Sequence, residues 1–116
     1  MEELRKQWIT SEKEYREGEV FVYRQKFTAS QVKKAVFYGT ALGVYEAELN
    51  GTKIGRQMFA PGFSYYPRRV LYQTHEVTKL LREGENTLTV YLGQGWYCGR
   101  FLCENQTQIY GEQPAV

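Results

Sequence analysis

No stretch of this chain approaches the roughly 20 consecutive apolar residues of a membrane-spanning helix. The polar start, Met1-Glu2-Glu3-Leu4-Arg5-Lys6, also lacks the apolar core of a secretory leader. The expectation is a cytoplasmic protein with no membrane partner. Histidine is scarce: His75 is the only one, which excludes a metal site built on two imidazoles. Cys98 and Cys103 are too few to staple a secreted miniprotein, and no second Cys-x-x-Cys or His pair accompanies them. Free thiols are the plain reading, although a local disulfide across four intervening residues is sterically possible. Charge of one sign is lacking too. With 15 Lys+Arg against 13 Asp+Glu, a net charge of +2 and the cations dispersed, nothing favours a nucleic-acid partner. A nucleophile elbow, a P-loop, a dinucleotide fingerprint and a zinc motif are all absent.

What the 116 residues do contain is material for one globular domain, 42% hydrophobic and 24% charged. Ten Tyr, six Phe and two Trp must supply much of the burial, and each buried Tyr hydroxyl needs a partner. Residues 1–18 are charge-rich and read as a surface-draped lead-in anchored by Trp8, with the β-domain proper over 19–116. Val20 to Phe27 alternates with period two, its aromatics on one face, and predicts a first strand. Lys33 to Ala41 predicts a second, and Val44–Leu49 a third with Tyr45, Ala47 and Leu49 on one side. Asn50-Gly51 is a strong two-residue hairpin signal, returning through Lys53-Ile54-Gly55, because both turn positions tolerate the positive φ of a type I′ turn.

Residues 58–67 carry two prolines and a Pro-Gly pair and read as an ordered aromatic loop. Val70 to Thr74 resumes extended structure. Thr78 to Gly84 reads as one helical turn begun by the Thr hydroxyl and ended by the glycine. Thr87 to Leu92 alternates, with Leu88, Val90 and Leu92 inward and the threonines and Tyr91 outward, before glycines break the pattern around Trp96 and Tyr97. Six short strands without a long helix predict an all-β fold.

The chemistry of the sequence points away from catalysis. A glycosidase needs two carboxylates converging from about 5–9.5 Å apart. Glu46 and Glu48 share a strand face, but it is the face opposite Tyr45, Ala47 and Leu49, where solvated carboxylates belong. His75 beside Glu76 reads as a half-exposed strand residue rather than a base. What remains is aromatic and polar surface: Phe63, Tyr65, Tyr66, Arg68 and Arg69 after the Pro-Gly, and Trp96, Tyr97 and Arg100 among glycines. Rings flanked by fixed donors suit the C–H faces and hydroxyls of a sugar, and equally suit plugging the end of a sandwich or an interface with another domain. The candidate carbohydrate-binding residues are Tyr65, Tyr66, Arg69, Trp96 and Tyr97; no catalytic and no metal-ligating residue is assigned.

Five motifs in order carry a family resemblance: Gly43-Val44-Tyr45-Glu46-Ala47-Glu48-Leu49-Asn50-Gly51; Ala60-Pro61-Gly62-Phe63-Ser64-Tyr65-Tyr66-Pro67-Arg68-Arg69; Tyr72-Gln73-Thr74-His75-Glu76-Val77-Thr78; Gly84-Glu85-Asn86; and Leu92-Gly93-Gln94-Gly95-Trp96-Tyr97-Cys98-Gly99. Over roughly residues 19–103 the chain resembles the accessory N-terminal domain of bacterial α-L-rhamnosidases. Single motifs of the set also occur in the jelly-roll sugar-binding domains of β-galactosidase-like enzymes.

The resemblance implies a jelly-roll-like antiparallel β-sandwich beside an (α/α)6-barrel that hydrolyses terminal α-L-rhamnosides by inversion, with the reacting acids in the barrel. It implies a non-catalytic accessory role, with a free-standing lectin-like module as the alternative. Some members bind L-rhamnose with a calcium ion through acidic or amide residues after the Pro-Gly; here Ser64-Tyr65-Tyr66 replaces the acidic ligand, so no cofactor is expected. Family members usually continue for several strands beyond the Gly-Trp-Tyr motif. A truncated sandwich would leave the face of Leu88, Val90 and Leu92 uncovered, and the tail from Phe101 to Val116 with little to pair with. The expectation from this is a homo-oligomer formed by edge pairing or tail exchange.

Overall fold

A computed structural model of the chain describes residues 7–100, 108 and 110–116. Among these lie six strands: β1 (Phe21–Ala29), β2 (Val36–Gly39), β3 (Val44–Leu49), β4 (Thr52–Lys53), β5 (Gln73–Glu76) and β6 (Gly84–Gly93). A 3₁₀ turn at Thr78–Leu80 and the one-turn helix α1 (Gly95–Cys98) complete the set. One sheet has the order β1-β6-β3-β4 and the other pairs β2 with β5, every neighbouring pair antiparallel. The fold is an all-β antiparallel sandwich, as the alternation patterns require.

The predicted strand Val44–Leu49 is β3 with the same ends, and Tyr45, Ala47 and Leu49 are buried while Glu46 is exposed. Asn50 and Gly51 both take positive φ, +53° and +81°, and set Leu49 opposite Thr52. Elsewhere the boundaries move. The expected second strand, Lys33 to Ala41, shrinks to Val36–Gly39: Ala35 N is spent on the Thr78 hydroxyl, and further back the Glu83 carboxylate accepts from Ser30 Oγ at 2.9 Å and from Gln31 N at 3.1 Å, with Gln31 at φ +52°. The strand expected at Val70–Thr74 begins instead at Gln73. The Thr78 hydroxyl does not cap its turn. It accepts from Ala35 N at 2.9 Å, clamping the turn to the start of β2, and Gly84 at φ +90° opens β6 rather than closing a helix.

Packing corrects three further expectations. Thr89 faces away from Leu88 and Val90 yet is buried, since β6 lies between β1 and β3 and is shielded by their side chains on both flanks. Trp8 is 44% exposed, and the lead-in is anchored by Tyr15 instead, whose ring meets Phe21 edge-on at 5.6 Å and whose hydroxyl donates to Gln94 Oε1 at 2.6 Å. The face of Leu88, Val90 and Leu92 is covered: Leu92 is fully buried in one cluster with Val90, Ile54, Ala60 and Val77, against which Leu80, Leu81, Leu88 and Val116 pack. The last residues of the tail pair within their own chain. Ala115 exchanges backbone hydrogen bonds with Leu42, and Val116 with Ile9 at 2.8 and 3.0 Å. The anticipated apolar opening is therefore closed by loops and by both chain ends. Cys103, with the rest of residues 101–107 and residue 109, lies outside the described residues.

Two asparagines tie the sheet to its connectors. Asn86, 1% exposed, accepts from Asn50 Nδ2 and Arg82 N, both at 2.8 Å, and donates to Arg82 O at 2.8 Å and Gly84 O at 3.0 Å. Asn50 in turn accepts from Thr87 N at 2.9 Å and donates to Leu80 O at 2.9 Å. Removing the Asn86 amide strands several buried groups at once. Asn86→Ala is expected to destabilise by on the order of 3 kcal/mol, read as a fall in the urea midpoint. Lys26→Ala, which breaks an ion pair with Glu85 between side chains about two-thirds exposed, is expected to leave the midpoint nearly unchanged.

Candidate functional site

The candidate residues sit on two neighbouring elements at one end of the sandwich, the loop after Ala60 and helix α1. Strand β3 positions the loop. Tyr45 N donates to Ala60 O at 2.7 Å, Tyr45 OH donates to Gln73 Oε1 at 3.0 Å, and Gln73 Nε2 donates on to Pro61 O at 3.1 Å. The Tyr45 ring leans over Gly39, where a Cβ would stand 2.6 Å from its hydroxyl, so the glycine makes room for this relay. Further along, Ser64 is buried and its hydroxyl accepts from Leu71 N at 3.3 Å, while Tyr65 O accepts from both Arg68 N and Arg69 N at 2.9 Å. The loop is thus ordered as its prolines foretold.

Its rings interlock with those of α1. Phe63 meets Trp96 edge-on at 6.0 Å and 88°, and Tyr66 at 6.5 Å and 73°. Tyr66 meets Tyr97 at 5.0 Å and 75°, and Tyr110 at 5.0 Å and 57°. Such edge-to-face pairs stabilise by about 0.5–1.5 kcal/mol each beyond their buried area.

The five candidate residues do not converge on one site. Tyr66 and Tyr97 line a cleft of about 450 Å³ together with Trp8, Leu42, Pro67, Val70 and Tyr110. Trp96 lines a second cleft of about 390 Å³, together with Glu19, Val20, Phe59, Gln94 and Arg100 and with Gly18, Gly93 and Gly95. Tyr65 and Arg69 are exposed on the turn beside them. Sequence reasoning missed Phe59 and Gln94. Phe59 adopts φ +54°, a left-handed conformation that costs a bulky residue about 1–2 kcal/mol, and its ring is 64% exposed.

The polar side chains of the second cleft are engaged. Gln94 Oε1 accepts from Tyr15 OH and from Gly18 N; Glu19 accepts from Lys13 Nζ and from Arg16 N, both at 3.2 Å; Arg100 Nε donates to Glu17 at 2.8 Å. The hydrogen bond from Arg16 N and the Lys13 ammonium hold the Glu19 carboxyl below its ordinary pKa. Glu46 and Glu48 stay on the outer face, the first 3.5 Å from Lys53 Nζ and the second accepting from Tyr91 OH at 3.4 Å. His75 lies on β5 with its imidazole against Gly55. For calcium the donor set is a poor fit: every acid in the chain is a glutamate, the loop of residues 58–69 has no carboxylate, and its buried Ser64 hydroxyl is already engaged.

Burial acts on the acidic protons of this region. It pushes the Cys98 thiol, 3% exposed, up from 9.0 to about 11, and the Tyr45 phenol up to about 12. Tyr66 and Tyr97 are raised by burial as well, and by the neighbouring Cys98. Because these groups keep their protons longer in the folded chain than in the unfolded one, the stability they lend is intact below pH 9 and lost as pH climbs from 9 toward 11 for Cys98, and from 10 toward 12 for Tyr45. Urea midpoints across pH 8–11 should fall in the wild type, and Cys98→Ala should flatten the fall by on the order of 2 kcal/mol.

Comparison with known proteins bears on the same residues. The family model described as the α-L-rhamnosidase N-terminal domain matches residues 30–116. An α-L-rhamnosidase of Streptomyces avermitilis is 48% identical over 86 residues, 74% of this chain and 8% of that protein; one from Formosa agariphila is 35% identical over 72 residues. The crystal structure of native α-L-rhamnosidase from Aspergillus terreus superposes with a TM-score of 0.86 at 32% identity, covering 93% of this chain and 13% of that one. The Streptomyces avermitilis enzyme complexed with L-rhamnose gives 0.77 at 44% identity, covering 81% and 9%. The chain therefore spans about a tenth of the proteins it matches, and it belongs to the α-L-rhamnosidase N-terminal domain family.

Proposed function

We propose that this domain is a non-catalytic accessory part of an α-L-rhamnosidase, a glycoside hydrolase, and that its aromatic end serves packing on the catalytic part. The observation that carries the reading is the state of the second cleft. Hydrolysis of a glycoside takes two carboxylates flanking one bond. The cleft has Glu19 alone, and its oxygens are held by Lys13 and Arg16 N. The Gln94 amide oxygen and the Arg100 Nε are likewise spent within the chain, which leaves ring surface as the main thing the cleft offers.

A second reading is favoured by the relative solved with L-rhamnose: sugar contact through Tyr65, Tyr66, Arg69, Trp96 and Tyr97. The two separate experimentally, because the chain has only two tryptophans and they line different clefts. In a Trp8→Phe variant, Trp96 emission should stay flat up to millimolar L-rhamnose, with or without calcium; a saturable change supports sugar contact instead. Hydrolysis of 4-nitrophenyl α-L-rhamnoside by the isolated chain should stay at background. Turnover that disappears in Glu19→Gln, Glu46→Gln or Glu48→Gln would sink the accessory reading.

A further inference from the structure

The region around Phe59 combines three features. The first is exposed apolar surface: Met58 is 71% exposed, Phe59 64%, Tyr65 57% and Phe63 49%. Trp96 links two of these rings, since Phe59 and Trp96 line one cleft and Phe63 packs on Trp96; Met58 is the sequence neighbour of Phe59, and Tyr65 O anchors the turn that follows Phe63. Val20, 58% exposed, lines the same cleft.

The second feature is strain. Phe59 is held in the left-handed region by its neighbours: its carbonyl accepts from Gly62 N at 2.8 Å, and Ala60 is bonded to Tyr45. A bulky residue in that conformation lowers the stability of the isolated chain, and the ring so placed covers little of its own core. Strain that the fold does not use is the kind stored for a contact. The third feature is charge. From Asn50 to His75 the sequence holds Lys53, Arg56, Arg68 and Arg69 and no acid. Arg56, Arg68 and Arg69 form no ion pair among the described residues.

We propose that the ridge of Met58, Phe59, Phe63 and Tyr65, with Arg68 and Arg69 at its margin, is the surface by which this domain docks on the remainder of its parent α-L-rhamnosidase polypeptide. The partner surface is apolar at its centre and carries carboxylates at its rim. The proposal rests on the accessory reading. Proteins containing this domain are about ten times its length, so most of the polypeptide lies outside it and is tethered to it at high effective concentration. An apolar centre with an unpaired cationic margin is the complement of such a rim, and it fits an uncharged saccharide less well.

Hydroxyl-radical footprinting tests this in the parent enzyme and in the isolated chain. Met58, Phe59, Phe63 and Tyr65 should label heavily in the isolated chain and lose that labelling in the parent enzyme. Arg68→Glu combined with Arg69→Glu should restore it in the parent. Phe59→Asn, which tolerates the left-handed conformation, should raise the urea midpoint of the isolated chain while restoring labelling of Met58 in the parent. Equal labelling in both proteins overturns the proposal, as does protection in the isolated chain that grows with its concentration, which assigns the ridge to a second copy. Phe59→Asn lowering the midpoint removes the strain argument and counts against it. Hydrolysis by the isolated chain overturns the accessory reading itself, a failure distinct from any of these.

Discussion

The arrangement of this domain depends on one pair of amides, the buried Asn86 and the half-buried Asn50. Asn50 sits in the β3–β4 turn and Asn86 near the start of β6, and a 2.8 Å bond between their side chains extends the β3–β6 ladder past its last pair. Both residues are saturated by backbone: Asn50 by Thr87 and Leu80, Asn86 by Arg82 and Gly84. The pair therefore fixes register as well as proximity, because it satisfies main-chain groups of Arg82 and Gly84 where the chain enters β6. An aspartate at either position could accept but not donate, which is why the chemistry asks for an amide twice. With β6 fixed, β1 and β3 pair on its two flanks, and the inner face of the four-stranded sheet is set.

From that sheet a second chain of hydrogen bonds reaches the aromatic end. Tyr45 on β3 bonds Ala60 through its backbone and Gln73 through its phenol, and Gln73 passes the restraint to Pro61. The loop is held at both its base and its return, so it cannot relax the left-handed Phe59 without breaking bonds to the core. The same restraint brings Phe63 and Tyr66 against α1, where they form a lattice of edge-to-face rings. Rigid support under an exposed apolar ridge is what an interface needs and what a solvent loop does not.

Legibility in the sequence followed the range of the interaction. Strand β3 and its turn were readable because alternation and Asn-Gly chemistry are local, and the inward set of β6 was readable for the same reason. The start of β2 was not, because Ala35 N, just before it, is spent on Thr78, 43 positions away. Thr78 looked like a cap because caps are local; its hydroxyl instead serves Ala35 across the sandwich. Thr89 looked outward because a period-two pattern cannot say that its strand has neighbours on both sides. The completion of the core around Leu92 was equally hidden, since the cluster includes loop residues such as Ile54 and Ala60 and has Val116 packed against it, which no periodicity announces.

The candidate site shows the same division in smaller compass. Trp96 and Tyr97 are adjacent in sequence and were read together as one platform, but on a helical turn successive side chains diverge by about 100°. Trp96 consequently faces the cleft of Phe59 and Tyr97 the cleft of Trp8, with Tyr66 and Phe63 as the rings that join the two. Gly95 lets the helix start against Val44, where a Cβ would meet its backbone at about 3 Å. Phe59 was invisible because no residue rule assigns a phenylalanine to left-handed backbone; only tethering at Tyr45 and Gly62 puts it there. Sequence thus disclosed which residue types this end of the sandwich uses, whereas their division into two clefts and one strained ridge is a property of the packing.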